Sequence, residues 1–181
     1  GVENLEILAG GGALDAKLSI NPWEVGFQLG IASGDSNGQD NEWHTLTMDR
    51  DHDVALLMFE QPMPVYAMGE AATDENQNID ASRRLTSEGV SNAFYLRPRF
   101  HIDIRENLRA GVMLVAAFPV VKEAFEGEVT AYGMEIDLDV RWKLYGNFEL
   151  GGRAGFLFPG DVYGEESEFT FGGEFRALVH F

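Results

Sequence analysis

The chain has 181 residues, no cysteine, and 30 acidic against 13 basic residues, for a net charge of -17. That length allows one ordinary domain with a sizeable core; the missing thiols exclude a disulfide framework or a thiolate metal site, and the acid excess argues against a nucleic-acid partner, which needs a basic face. No run approaches the roughly 18 apolar residues of a membrane helix, and the opening G-V-E-N-L-E lacks the positive end and apolar middle of a signal peptide, which leaves a soluble protein or one that meets a membrane through strands.

In chain order, Leu5, Ile7 and Ala9 lead into three glycines, an irregular strand start. Leu14, Ala16, Leu18 and Ile20 then alternate with Asp15, Lys17 and Ser19 up to a tight turn at Asn21-Pro22. Trp23, Val25, Phe27, Leu29 and Ile31 continue the alternation on a second strand. Residues 33–92 form one long, acidic, turn-rich excursion. Within it Val54 to Phe59 is apolar on both faces, which predicts a segment folding back against other protein, into or over a pore.

Alternation resumes with Phe94, Leu96, Pro98, Phe100, Ile102 and Ile104 on one face, and Tyr95, Arg97, Arg99, His101 and Asp103 on the other. Pro98 removes a ladder donor and predicts a bulge or a broken pair. Four more strands follow: 110–118, 134–142, 148–158 and the closing stretch from Glu168 to Phe181. The count is about seven, without a helix of consequence. Short connections (near Asn21, Asn107 and Gly146) alternate with long ones (33–92, 119–133 and 159–168), so an up-and-down meander has all its short turns at one end, the plan of an outer-membrane barrel.

Charge and aromatic placement fit that plan. The three long loops carry 19 acids and 4 bases, whereas in the strands every base falls on the polar face and the apolar face is uncharged. Lipid imposes such a face, because an Arg or Lys at the bilayer midplane costs about 2–4 kcal/mol. Trp23, Trp142, Tyr145, Phe148 and Phe181 lie towards the short-turn end, and Phe94, Phe118, Tyr132, Phe156, Phe158, Phe169 and Phe171 towards the long-loop end, two belts as at membrane interfaces. With the first strand starting on the long-loop side and an odd count, strands from upstream or from another chain are expected to complete the barrel.

The terminal strand, with Phe175, Ala177 and Val179 alternating before Phe181, resembles the carboxy-terminal signal of Gram-negative outer-membrane β-barrel proteins. That resemblance implies an outer-membrane location among lipid and lipopolysaccharide, and recognition by the barrel assembly machinery. The strand Trp23–Ile31 running into Ala32-Ser33-Gly34-Asp35, with arginines on the polar faces, is similar to porin-like and alginate-export-like barrels.

Candidate pore-lining residues are Arg97, Arg99, Arg109, Arg141, Lys143, Arg153 and Arg176 with Glu135, Asp137, Asp139, Glu149 and Glu174. They read either as a structural ion-pair lattice or as a charged eyelet that selects solutes by sign. Asp35, Asp40, Asp49, Asp51 and Asp53 offer hard oxygen ligands for calcium, yet lack EF-hand spacing and equally suit a solvated acidic loop. The four histidines show no metal spacing and no serine sits in a nucleophile elbow, so no catalytic site and no cofactor is expected.

The sequence therefore predicts an all-β, antiparallel up-and-down transmembrane barrel segment. Its expected role is an outer-membrane channel for small hydrophilic or anionic solutes. Alternatives are a non-conducting structural or adhesion barrel, and a soluble ligand-binding β-barrel whose apolar face points inward.

Overall fold

A computed structural model describes residues 6–36, 42–49, 51–60, 89–125, 128–163 and 167–179. Seven strands form one antiparallel sheet: β2 (Gly11–Ile20), β3 (Trp23–Ala32), β5 (Ala93–Arg105), β6 (Leu108–Pro119), β7 (Gly133–Tyr145), β8 (Phe148–Pro159) and β9 (Thr170–Val179). Spatial order equals chain order, so every pairing is between sequence neighbours. A separate two-residue parallel pair joins β1 (Glu6–Ile7) to β4 (Glu42–Trp43). Two-residue turns at 21–22, 106–107 and 146–147 occupy one end of the sheet, and the three long connections the other.

The register keeps the two faces separate across all seven strands. Leu18 opposes Val25, Val25 opposes Phe100, Phe100 opposes Val112, Val112 opposes Leu138, and Leu138 opposes Ala154. On the other face Gln28 opposes Arg97, Asp139 opposes Arg153, and Arg153 opposes Glu174. A one-residue slip anywhere would carry charge onto the apolar face, so the alternation itself fixes the register.

At Pro98 the pairing to β6 lapses. Leu96 opposes Ala116, the next pair is Arg99 with Met113, and the register is the same on both sides. The proline thus breaks the pairing over two residues, Arg97 and Pro98, without adding one, the second of the two outcomes its missing N–H allows. The irregularity that does shift register lies between Asp103 and Arg105, beside the turn.

Burial runs opposite to hydrophobicity. Along β7, Met134, Leu138, Val140 and Trp142 are exposed while Glu135 and Asp137 are fully buried. Along β3, Trp23, Val25, Phe27 and Ile31 are exposed while Gly26, Gln28 and Gly30 are buried. The core consequently lies on the polar face, at its long-loop end, where Tyr95, Val115, Ala117 and Leu157 replace the charged residues found further along their strands. Against them pack Val54, Ala55, Met58 and Phe59, the short apolar run of the long excursion.

Tyr132 is the hub of this core. Its ring meets Phe59, Phe125 and Tyr163 edge-on, and its hydroxyl donates to the carbonyls of Ser91 (3.3 Å) and Asn92 (3.2 Å). The belt position read for Tyr132 from its place in the chain is therefore corrected: only 2% of it is exposed. Its neighbours Val129, Val162 and Leu157 supply an apolar alternative to an interface, and burying the ring with a bonded hydroxyl satisfies both halves of the side chain. Of the other belt aromatics, Trp23, Trp142, Phe158, Phe169 and Phe171 are exposed and Phe156 half-exposed, with Phe169 stacked between Phe156 and Phe171.

Candidate functional site

The polar face divides into two zones. Towards the long-loop end, residues 53–60 lie across it and are held by its acids. The Leu56 amide donates to Asp137 Oδ2 (3.1 Å), the Leu57 amide to Glu135 Oε1 (2.8 Å) and the Met58 amide to Glu135 Oε2 (2.6 Å). Three consecutive N–H groups that no strand pairs find acceptors here, and a buried one left without a partner, as Met58 would be, costs about 1–3 kcal/mol. Glu135 and Asp137, read as pore-lining, thus lie beneath the crossing segment. His52 Nε2 is 2.6 Å from the Tyr95 hydroxyl and fixes the segment's start, while Phe59 turns it at φ 71°, a region that costs a bulky residue about 1–3 kcal/mol.

Gly155 makes the crossing possible. A Cβ there would lie 2.8 Å from Asp137 Oδ1, 2.9 Å from Glu135 Oε1 and 3.1 Å from Leu56 Cβ. The strand can carry no side chain at the point where the segment meets both acids.

Towards the short-turn end the face opens into a cavity of about 600 Å³ lined by charged side chains of β5, β7, β8 and β9 and by Asp53. Ion pairs span it in steps. Arg99 reaches over β3 to grip both oxygens of Asp15 (2.7 and 2.6 Å), a path open only because Gly26 lies between, where a Cβ would sit 2.5 Å from Arg99 Nε. Arg109 reaches over β5 to Glu24 (2.6 Å). His101 lies 3.2 Å from Asp139 and 3.7 Å from Glu24. Arg141 pairs with Glu149 (3.4 Å), Arg153 with Asp53 (3.2 Å) and Glu174 (3.6 Å), and Arg176 with Glu174 (3.4 Å). Lys143 stands exposed near the turn.

Arg97 differs from these. Its Nη1 donates to Gln28 Oε1 (3.0 Å) and to the Asp53 carbonyl (3.1 Å), and its Nη2 to the Met113 sulfur (3.3 Å). All three acceptors are uncharged. Among the described residues it is the one cavity-lining arginine without a carboxylate within 4.0 Å.

The aspartates considered for calcium are dispersed in other tasks. Asp35 accepts from the His44 amide (3.0 Å), Asp49 from the Asp51 amide (2.8 Å), and Asp53 pairs with Arg153. Asp40 lies outside the described residues, as does Phe181. Among the described residues no group of three or more His, Asp or Glu side chains could hold a metal ion. Phe175 and Val179 stand exposed on the apolar face of β9.

Comparison with protein-family models gives no match, and neither does comparison with curated proteins. The functional reading rests on the chain itself.

Sequence reasoning missed Gln28, Met113 and the backbone amides of residues 56–58, and it missed Asp161. That carboxylate, in the short 3-10 turn Asp161–Tyr163, accepts from the Thr130 amide (2.8 and 2.9 Å), the Thr130 hydroxyl (2.6 Å) and the Ala131 amide (2.9 Å), clasping two long loops together. The Ala131 amide, then the Thr130 hydroxyl and amide, hold its pKa down at about 2 against an ordinary 3.8. A depressed carboxyl stabilises the folded form above its unfolded pKa and stops doing so as pH falls through its folded one. The clasp should hold at pH 4 and open between about 4 and 2. In Asp161→Ala, exchange of the Thr130 and Ala131 amides at pH 6 should speed up about fivefold, equivalent to about 1 kcal/mol of hydrogen bonding. Hydrogen exchange with residue resolution checks both.

Proposed function

We propose that this chain supplies seven strands of an outer-membrane β-barrel of porin-like type, with the polar face lining a passage for small hydrophilic or anionic solutes and residues 53–60 narrowing it. The observation that carries the reading is the inverted burial: a broad uncharged sheet face is exposed, while Gln28, Glu135 and Asp137 on the opposite face are buried. In water an exposed apolar face of this extent is an association or membrane surface. A soluble ligand-binding barrel would keep the same alternation and place its core under the apolar face; here the core is on the other side.

The sheet's edges favour a larger barrel. Among the described residues β2 and β9 each have one neighbour, and an open sheet edge is not tolerated in lipid because its N–H and C=O groups find no partner there. Further strands, from upstream or from a second chain, would close it. A non-conducting structural barrel is the second reading, favoured by the crossing segment and by the carboxylates beside most of the arginines. Single-channel recording on the complete barrel in planar bilayers tests the passage: stepwise conductance is expected, and an electrically silent, folded barrel would leave the structural reading.

A further inference from the structure

We infer that the cavity on the polar face holds a discrete binding site for one small monocarboxylate, with Arg97 as its cationic centre. This deepens the proposed passage and rests on it for the solute's route, although the binding site itself can be tested without transport.

The first argument is charge. Of the five arginines lining the cavity, Arg99, Arg141, Arg153 and Arg176 each have a carboxylate within 4.0 Å, whereas Arg97 is surrounded by an amide, a backbone carbonyl and a thioether. A guanidinium remains charged throughout the accessible pH range. Asp53 and Asp137 act on Arg97 only from beyond ion-pair distance, which leaves its free edge to an added anion, and a single negative charge suits that edge better than a dianion.

The second argument is geometry. Guanidinium has five N–H groups, and both hydrogens of Nη1 are taken by the Gln28 and Asp53 oxygens. Those bonds orient the plane. They leave the other edge, Nε–H and Nη2–H, the parallel pair that grips a carboxylate with two bonds. Among the described residues Nε is buried without a partner, and Nη2 meets only the sulfur of Met113, a weak acceptor on a flexible side chain. A carboxylate would displace that sulfur and satisfy both donors. The place is thus preorganised and closed by a soft side chain.

The third argument is size. About 600 Å³ accommodates a small organic molecule.

Benzoate is the probe, and isothermal titration with the complete barrel in detergent is the measurement. Saturable one-to-one binding is expected. Arg97→Gln should weaken it at least about tenfold through loss of a charge-assisted bond pair, and Arg97→Lys should weaken it too, because an ammonium keeps the charge without the fork. Met113→Ala, which leaves Arg97 in place, should tighten binding. Circular dichroism confirms that each variant is folded, and if Arg97→Gln does not fold, Met113→Ala and Arg97→Lys decide. Absence of saturable binding, or binding that all three variants leave unchanged, overturns the site. Inorganic phosphate binding more tightly than benzoate overturns its assignment to a monoanion. Arg97-dependent binding in a barrel that carries no current would uphold the site and remove the passage, so the two proposals fail separately.

Discussion

Leu138→Arg should destabilise the folded barrel in membranes by about 2–4 kcal/mol. Leu138 lies at the middle of β7 on the apolar face, 45% exposed, between Val112 on β6 and Ala154 on β8. Were that face in water, adding a charge at so exposed a position would change stability by no more than about 0.5 kcal/mol. At the bilayer midplane the same arginine costs about 2–4 kcal/mol, a large part of the 5–15 kcal/mol by which a typical protein is stable. The magnitudes therefore separate the two surroundings without any assumption about what the barrel conducts. Folding titrations into lipid vesicles, wild type against variant, give the number directly. An unchanged folding free energy would place Leu138 in water.

Glu135→Ala should loosen residues 53–60 from the sheet and leave the seven strands intact. The side chain, itself fully buried, accepts from two consecutive amides, Leu57 and Met58. Removing it leaves two donors without acceptors, at about 1–3 kcal/mol for a buried one, which makes local opening easier although Val54, Met58 and Phe59 keep their core contacts. Strand pairing does not depend on this carboxylate, because every ladder bond of β7 is made by backbone. Gly155→Leu should act the same way from the opposite side, as even its Cβ would press on both acids and on Leu56. With no cysteine in the chain, Ala55→Cys provides a clean reporter: the residue is 1% exposed and should react with a water-soluble maleimide only slowly. In combination with Glu135→Ala the reaction should accelerate at least about tenfold, for a local opening made easier by about 1.4 kcal/mol. If the segment narrows a passage, the same variant should raise its single-channel conductance.

The sheet could be read from the chain almost strand by strand, for a physical reason. Period-two alternation is a local property, and the three two-residue turns at 21–22, 106–107 and 146–147 leave each pair of strands one way to meet. The apolar run from Val54 to Phe59 also announced itself as protein-facing, since a segment apolar on both sides has no place on a two-faced wall. What alternation withholds is the identity of the covered face, because the pattern is the same whichever side meets solvent. Tyr132 shows the limit at a single residue. Its place beside a strand end suited a belt, and only the convergence of Phe59 and Tyr163, distant in sequence, with the nearby Phe125 made it core.

The candidate site was visible as composition but not as arrangement. Seven bases and five acids on one face were countable; which arginine lacks a carboxylate depends on reach across two or three strands, as in Arg99 with Asp15 and Arg109 with Glu24. A usable signal was nonetheless present. Gly26 and Gly155 occupy polar-face positions in the interior of good strands, where glycine weakens the strand and marks the close approach of another chain segment or side chain. Each of them proves to lie under such an approach. The tie between Glu135 and residues 57 and 58 had no such marker, because backbone donors leave no trace in sequence.

The most direct test of the central claim, that the apolar face meets lipid and the polar face an enclosed aqueous space, is a single-cysteine spin-label scan along β7 in reconstituted membranes. Positions 134, 136, 138, 140 and 142 should be accessible to oxygen, which concentrates in the bilayer. Positions 139, 141 and 143 should instead respond to a water-soluble nickel complex, while 135 and 137, beneath the crossing segment, should respond weakly to both. The account predicts this period-two exchange of the two accessibilities along the whole strand. Strong nickel accessibility at Leu138 and Val140, with oxygen accessibility no higher than in the loops, would contradict it.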